Sequence, residues 1–206
     1  MYQEIEQRYQ FVIPPLYRSL QHQGWLDPAN LAGQALLDSH YLWLFDVEWW
    51  SLDQIRDYAY PSYYQPGFVP FASTDTGDFW CWWPERATDA GAPVVLCPHD
   101  SIFAHIDAPH FEGWIYRRVL TYAAFLPAAE QEGRAWLTRW AQVLGTMLPA
   151  AWRATILNLA HTPLKTWEDA ITHEPGTSLL TPDEYAALVQ RDIDCSGRDA
   201  EFRWMR

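Results

Sequence analysis

The chain has 206 residues, 49% of them apolar and 19% charged, a balance that supports a packed core and excludes a disordered polymer. Lys plus Arg number 14 against 26 Asp plus Glu, and the formal net charge of −12 speaks against nucleic acid or an anionic membrane as a partner and for a basic one. Cys81, Cys97 and Cys195 have no C-x-x-C spacing, so neither a disulfide framework nor a zinc knuckle is expected; without a basic stretch after Met1 or an apolar run of bilayer length, the expected location is the cytoplasm.

In chain order, Pro14-Pro15 followed by Leu16 and Leu20 on one face predicts a first helix that stops near Gly24. The aromatic and β-branched run Tyr41 to Val47 reads as a strand inside a sheet. Ser51-Leu52-Asp53-Gln54 has the pattern of a capping box and predicts a short helix ending before Pro61. Prolines and glycines from Pro61 to Pro93 then punctuate short apolar runs, which predicts an antiparallel meander over 68–72, 78–83 and 94–97 with a turn at 73–77. Within the second run Phe79, Cys81 and Trp83 share one face while Trp80 and Trp82 share the other, so both faces need cover unless one is a binding surface.

From Phe111 the spacing of Ile115, Val119 and Tyr122 becomes helical, and Pro127 is expected to end that helix. The remainder reads as all helical. One amphipathic helix carries Trp136 and Trp140 and stops at Gly145, the next starts at Pro149, and Thr181-Pro182-Asp183-Glu184 caps a last one. The tail after Asp194 is expected to be loosely held.

Several of these segments together resemble a known family. Ile13-Pro14 precedes the first helix, Phe68-Val69-Pro70-Phe71-Ala72 leads through Asp75-Thr76-Gly77-Asp78 into Phe79-Trp80-Cys81-Trp82, and Pro93-Val94-Val95-Leu96 with His99-Asp100 precedes the helix from Phe111. This order resembles the SUKH superfamily, the fungal cell-wall-synthesis regulators of the Smi and Knr type and their bacterial relatives. The resemblance implies an α+β fold, mainly an antiparallel sheet flanked by helices, over residues 1–126 and leaves 127–206 unmatched; the length and Trp content of that C-terminal helical extension lead to the expectation that it packs on the sheet domain. The resemblance also implies a non-enzymatic protein-binding role: an immunity protein neutralising a cognate toxin, often a nuclease, or a regulatory or scaffolding module; the net charge adds the expectation that the partner is basic. No cofactor is expected, and the oligomeric state is not readable.

The candidate contact residues are aromatic anchors in an acidic frame: Trp80 and Trp82, next to Trp83, with Asp75, Asp78 and Glu85, and a second cluster of Trp49 and Trp50 beside Asp46, Glu48 and Asp53. The competing reading packs many of these tryptophans under helices. Against both stands a metal-dependent hydrolase using His99, His105 and His110, groups that suit zinc or iron but whose spacing matches no ligand motif; the plainer expectation is a His-rich loop with no metal.

Overall fold

The computed structural model describes residues 1–31, 35–62, 64–125, 130–169, 171–193 and 201–206. Its helices are α1 (Tyr2–Tyr9), α2 (Pro15–His22), α3 (Leu52–Asp57), α4 (Phe111–Phe125), α5 (Glu130–Leu144), α6 (Ala150–Leu159) and α7 (Pro182–Asp192). The strands are β1 (Glu48–Trp49), β2 (Val69–Ser73), β3 (Phe79–Trp82), β4 (Val94–Cys97), β5 (Phe103–Ala108), β6 (Lys165–Glu168), β7 (Pro175–Ser178) and β8 (Phe202–Arg203). The class is α+β. The chain divides into two compact units, Met1–Trp114 with Cys195–Arg206, and Ile115–Asp194. No helix among the described residues is long and apolar enough to cross a membrane.

The first unit is built on a six-stranded antiparallel sheet in the order β1-β2-β3-β4-β5-β8. Alternation along β3 decides its layering. Trp80 and Trp82 point to a face where Phe71 stacks on Trp82 at 4.4 Å between ring centroids, Tyr17 of α2 meets Trp82 edge-on at 5.0 Å, and Trp114 packs 5.0 Å from Phe71. On the opposite face Cys81, Val95 and Cys97 form a second cluster with Tyr64, Phe68 and Trp204. Both faces of the meander are therefore covered, which is why its strands carry bulky apolar residues at nearly every position.

Local chemistry sets the element ends. In α2 the fixed φ of Pro15 suits the first turn, and Leu16, Tyr17 and Leu20 are buried. At α3 the Ser51 hydroxyl accepts from the Gln54 N–H (3.2 Å) while the Gln54 side chain accepts from the Ser51 N–H (2.8 Å), the capping box that the sequence predicts. The turn between β2 and β3 closes when Thr74 N–H donates to the Asp78 carbonyl (2.9 Å) and Gly77 N–H to the Thr74 carbonyl (3.2 Å), with Gly77 at φ 95°.

Four expectations need correction. Residues 41–47 form no strand: Asp46 at φ 58° breaks the extended path, and the short β1 that follows is an edge strand, not an interior one. The segment read as a His-rich loop contains β5, in which His105 pairs with Leu96 and Asp107 is buried. The C-terminal region is not all helical, because β6 and β7 form a hairpin. There Gly176 lies against Trp167, whose ring would be 2.4 Å from any added Cβ, so the glycine is required by packing. Finally, residues 201–206 are not loosely held. Phe202 pairs with Ala104, and Trp204 stacks on Tyr64 at 4.4 Å while its indole N–H donates to the Ser101 carbonyl at 2.7 Å.

The second unit gathers the part of α4 from Ile115 onward, α5, α6, the β6–β7 hairpin and α7. Tyr116 stacks on Trp152 with centroids 4.7 Å apart, and Tyr122 meets Trp140 edge-on at 4.9 Å. The predicted capping box at α7 forms between Thr181 and Glu184. Lys165 of β6 also donates to the Glu184 carboxylate at 2.5 Å, and this ion pair, followed by the Thr181 N–H, holds that carboxyl below the usual range.

The tail strand makes a direct test possible. Trp204 is 2% exposed, so Trp204→Ala is expected to cost about 3–5 kcal/mol, read as a lower urea midpoint; a loss below about 1 kcal/mol would show that the tail docks without supporting the sheet.

Candidate protein-binding surface

The fold separates the seven candidate contact residues into different environments. Trp49, Trp80 and Trp82 are 5%, 1% and 0% exposed, which corrects their assignment as surface anchors: they are core side chains. The Trp49 indole N–H donates to the Leu42 carbonyl at 2.7 Å and that of Trp80 to the Asp46 carbonyl at 3.3 Å. The Trp82 indole N–H is buried with no acceptor among the described residues. Trp50 is half-buried, donates to the Ser73 hydroxyl at 3.2 Å and lies edge-on to Phe79 at 5.7 Å. Asp75 and Glu85 are exposed, whereas Asp78 is half-buried and tied to His99.

Asp75 and Glu85 belong to different parts of the surface. Glu85 lines a groove with Arg8, Tyr9 and Tyr60. Asp75 lines a pocket of about 410 Å³ with Trp43, Phe45, Asp46, Glu48 and Thr76. Sheet pairing creates this second pocket: β1 lies beside the end of β2 through Glu48 opposite Ser73, which brings residues 43–48 alongside the β2–β3 turn. The Asp75 N–H then donates to Asp46 Oδ1 at 3.4 Å. Phe45, which composition and spacing did not single out, is 40% exposed at the pocket. Asp46, Glu48 and Asp75 thus line the same pocket as Trp43 and Phe45.

The histidines are not gathered into one centre. His99 donates its backbone N–H to Asp78 Oδ1 at 2.9 Å and sets its ring Nδ1 2.7 Å from the same oxygen. His105 sits in the β4–β5 ladder, and His110 Nδ1 accepts from the Gly113 N–H at 3.1 Å at the start of α4. Among the described residues, the side chains close enough to share a metal ion are Asp78, His99 and Asp100, a set that omits two of the three histidines of the hydrolase reading. Burial pushes the Cys81 thiol well above its usual range, with the neighbouring Cys97 adding to the shift, so Cys81 is kept as the unreactive thiol.

The family model described as SMI1 / KNR4 family (SUKH-1) matches residues 2–117, more than half of the chain. The match spans α1 to β5 and the first turns of α4, and therefore includes the pocket and the layer of Phe71 and Trp82, whereas Trp204 of the opposite face lies outside it. No curated protein and no solved structure matches the chain significantly.

The tryptophan environments differ in one testable respect. Trp49→Phe leaves the Leu42 carbonyl without its indole donor, whereas Trp82→Phe removes an N–H that has no acceptor, so the first is expected to cost about 1–3 kcal/mol more than the second in urea unfolding. An equal or greater loss for Trp82→Phe would contradict this assignment.

Proposed function

The chain belongs to the SMI1/KNR4 (SUKH-1) family, and from that premise we propose that it is a non-enzymatic protein-binding domain of the immunity type, one that neutralises a cognate basic toxin in the cytoplasm by covering the toxin's working surface. The observation that carries this reading is electrostatic: a net charge of −12, with exposed carboxylates such as Glu48, Asp75 and Glu85 around a core that has taken up most of the candidate aromatics. A surface of one sign attracts an oppositely charged partner from a distance and disfavours like-charged competitors. The family is generally one of immunity and regulatory domains rather than catalysts, and the dispersal of His99, His105 and His110 gives a hydrolase no shared centre to work from. A nuclease active surface, built to hold phosphates, has the charge that would complement this chain.

The regulatory branch of the family supports a second reading, in which the same fold holds a host protein instead of a toxin. One experiment separates them. The chain is mixed with the purified basic toxin domain encoded beside its gene, and complex formation and toxin activity are followed together. The immunity reading expects a stoichiometric complex and loss of toxin activity at equimolar ratio. A toxin that stays active and unbound would overturn it, and recovery of a defined host complex would then favour the regulatory reading.

A further inference from the structure

Residues 201–206 sit in the first unit as an extended peptide, and their seat has the construction of a strand-accepting cleft. On one side is β5: Phe202 is opposite Ala104, Arg203 is opposite Phe103, and the Trp204 N–H donates to the Ile102 carbonyl at 3.0 Å. A second segment flanks the tail, where the Gln65 N–H donates to the Trp204 carbonyl at 2.9 Å and Tyr64 bridges to Met205. Both backbone groups of Trp204 are thereby satisfied, by two different parts of the chain. Alternation sends the rings inward. Phe202 lies 4.3 Å from Trp83 and 5.6 Å from Phe68 between centroids, and Trp204 stacks on Tyr64 with its indole N–H on the Ser101 carbonyl, while Arg203 between them is exposed.

Two observations separate the seat from its occupant. The residues beneath the tail, Tyr64, Phe68, Cys81, Val95, Cys97 and Ala104, all fall within the family match at 2–117, whereas the tail lies outside it. The cleft is therefore built from the matched domain, and the strand that fills it is supplied from elsewhere in the chain. The occupant also carries Arg203 and Arg206 in a chain of net charge −12, so it has the sign of the basic partner inferred above.

We propose that this cleft is a docking site for an extended, basic segment of the partner protein, one with two aromatic side chains around a central arginine or lysine. The tail holds the cleft in cis until such a segment takes its place. The assignment rests on the protein-binding reading above and names the kind of segment recognised. Strand addition draws affinity from backbone hydrogen bonds and specificity from alternate side-chain seats, and the tail has both contributions in place. A tethered strand competes at an effective concentration on the order of millimolar, which sets the threshold that a partner segment must exceed.

The test uses the full chain and an acetylated, amidated Lys-Phe-Arg-Trp-Leu-Lys peptide, which keeps the aromatic-Arg-aromatic pattern and changes its flanks. Trp204→Ala weakens the chain's own tail, and Phe202→Ala, at a half-buried position, is the milder variant that serves if the first does not fold. Thermal unfolding is followed by circular dichroism as peptide is added to about 1 mM. The peptide should raise the midpoint of either variant saturably, by about 3 °C at a tenfold excess over its Kd, and that of the unaltered chain by less than about 1 °C because the tail is in the seat. A control peptide with alanine at both aromatic positions should leave every midpoint unchanged. No saturable rise in the variants, an equal rise with the control peptide, or the same rise in the unaltered chain overturns the docking site. The wider binding reading fails separately, if the chain forms no complex with a basic toxin.

Discussion

The contact between Phe71 and Trp82, stacked at 4.4 Å, is the one around which the first unit is organised. It joins β2 to β3 on one face of the sheet, and Tyr17, Phe111 and Trp114 close around it from α2 and α4. Aromatic side chains bury large areas and prefer tilted or edge-on neighbours, so a few of them define a layer with little freedom to repack. The opposite face is finished by the C-terminal segment, whose Trp204 covers the cluster at Cys81 and Cys97. Trp80, Trp82 and Trp114 on one face and Trp204 on the other thus follow from a sheet that has two faces to cover.

This allocation shapes the surface. Once Trp49, Trp80 and Trp82 are committed to the core, the surface beside them is left to carboxylates and to aromatic residues at the edge, Phe45 among them. Core and surface are physically linked through Asp46. Its backbone is held in the left-handed region at φ 58°, its carbonyl faces the indole of Trp80, and its side chain reaches the backbone of Asp75. A buried tryptophan therefore acts on the surface by fixing the loop that carries the acidic groups, without itself being a contact residue.

Features governed by neighbouring residues were legible in the sequence. Both capping boxes, the proline start of α2, the limits of β4 and the two-face alternation of β3 follow from spacings of two to four residues. Features that depend on distant pairing were not. The run 41–47 has strand-forming residues, but a left-handed Asp46 and the reach of Trp49 back to Leu42 fold it into a loop. Strand β5 was hidden by His105 and Asp107, side chains that suggest ligands, although its alternation was present. The glycine under Trp167 and the tail strand could be recognised only with their partners in position. The acidic pocket belongs to this second kind, since Glu48 and Asp75 become neighbours only when β1 pairs with the end of β2.

In the binding role proposed above, recognition is driven by the charge of the surface rather than by chemistry performed on a substrate. Stopped-flow association with the purified cognate toxin domain between about 20 and 500 mM NaCl tests it most directly, because screening slows the encounter of opposite charges far more than it speeds the separation of a packed complex. The association rate constant should fall about tenfold or more across that range while the dissociation rate constant changes little. An association rate that is flat with salt would contradict the account.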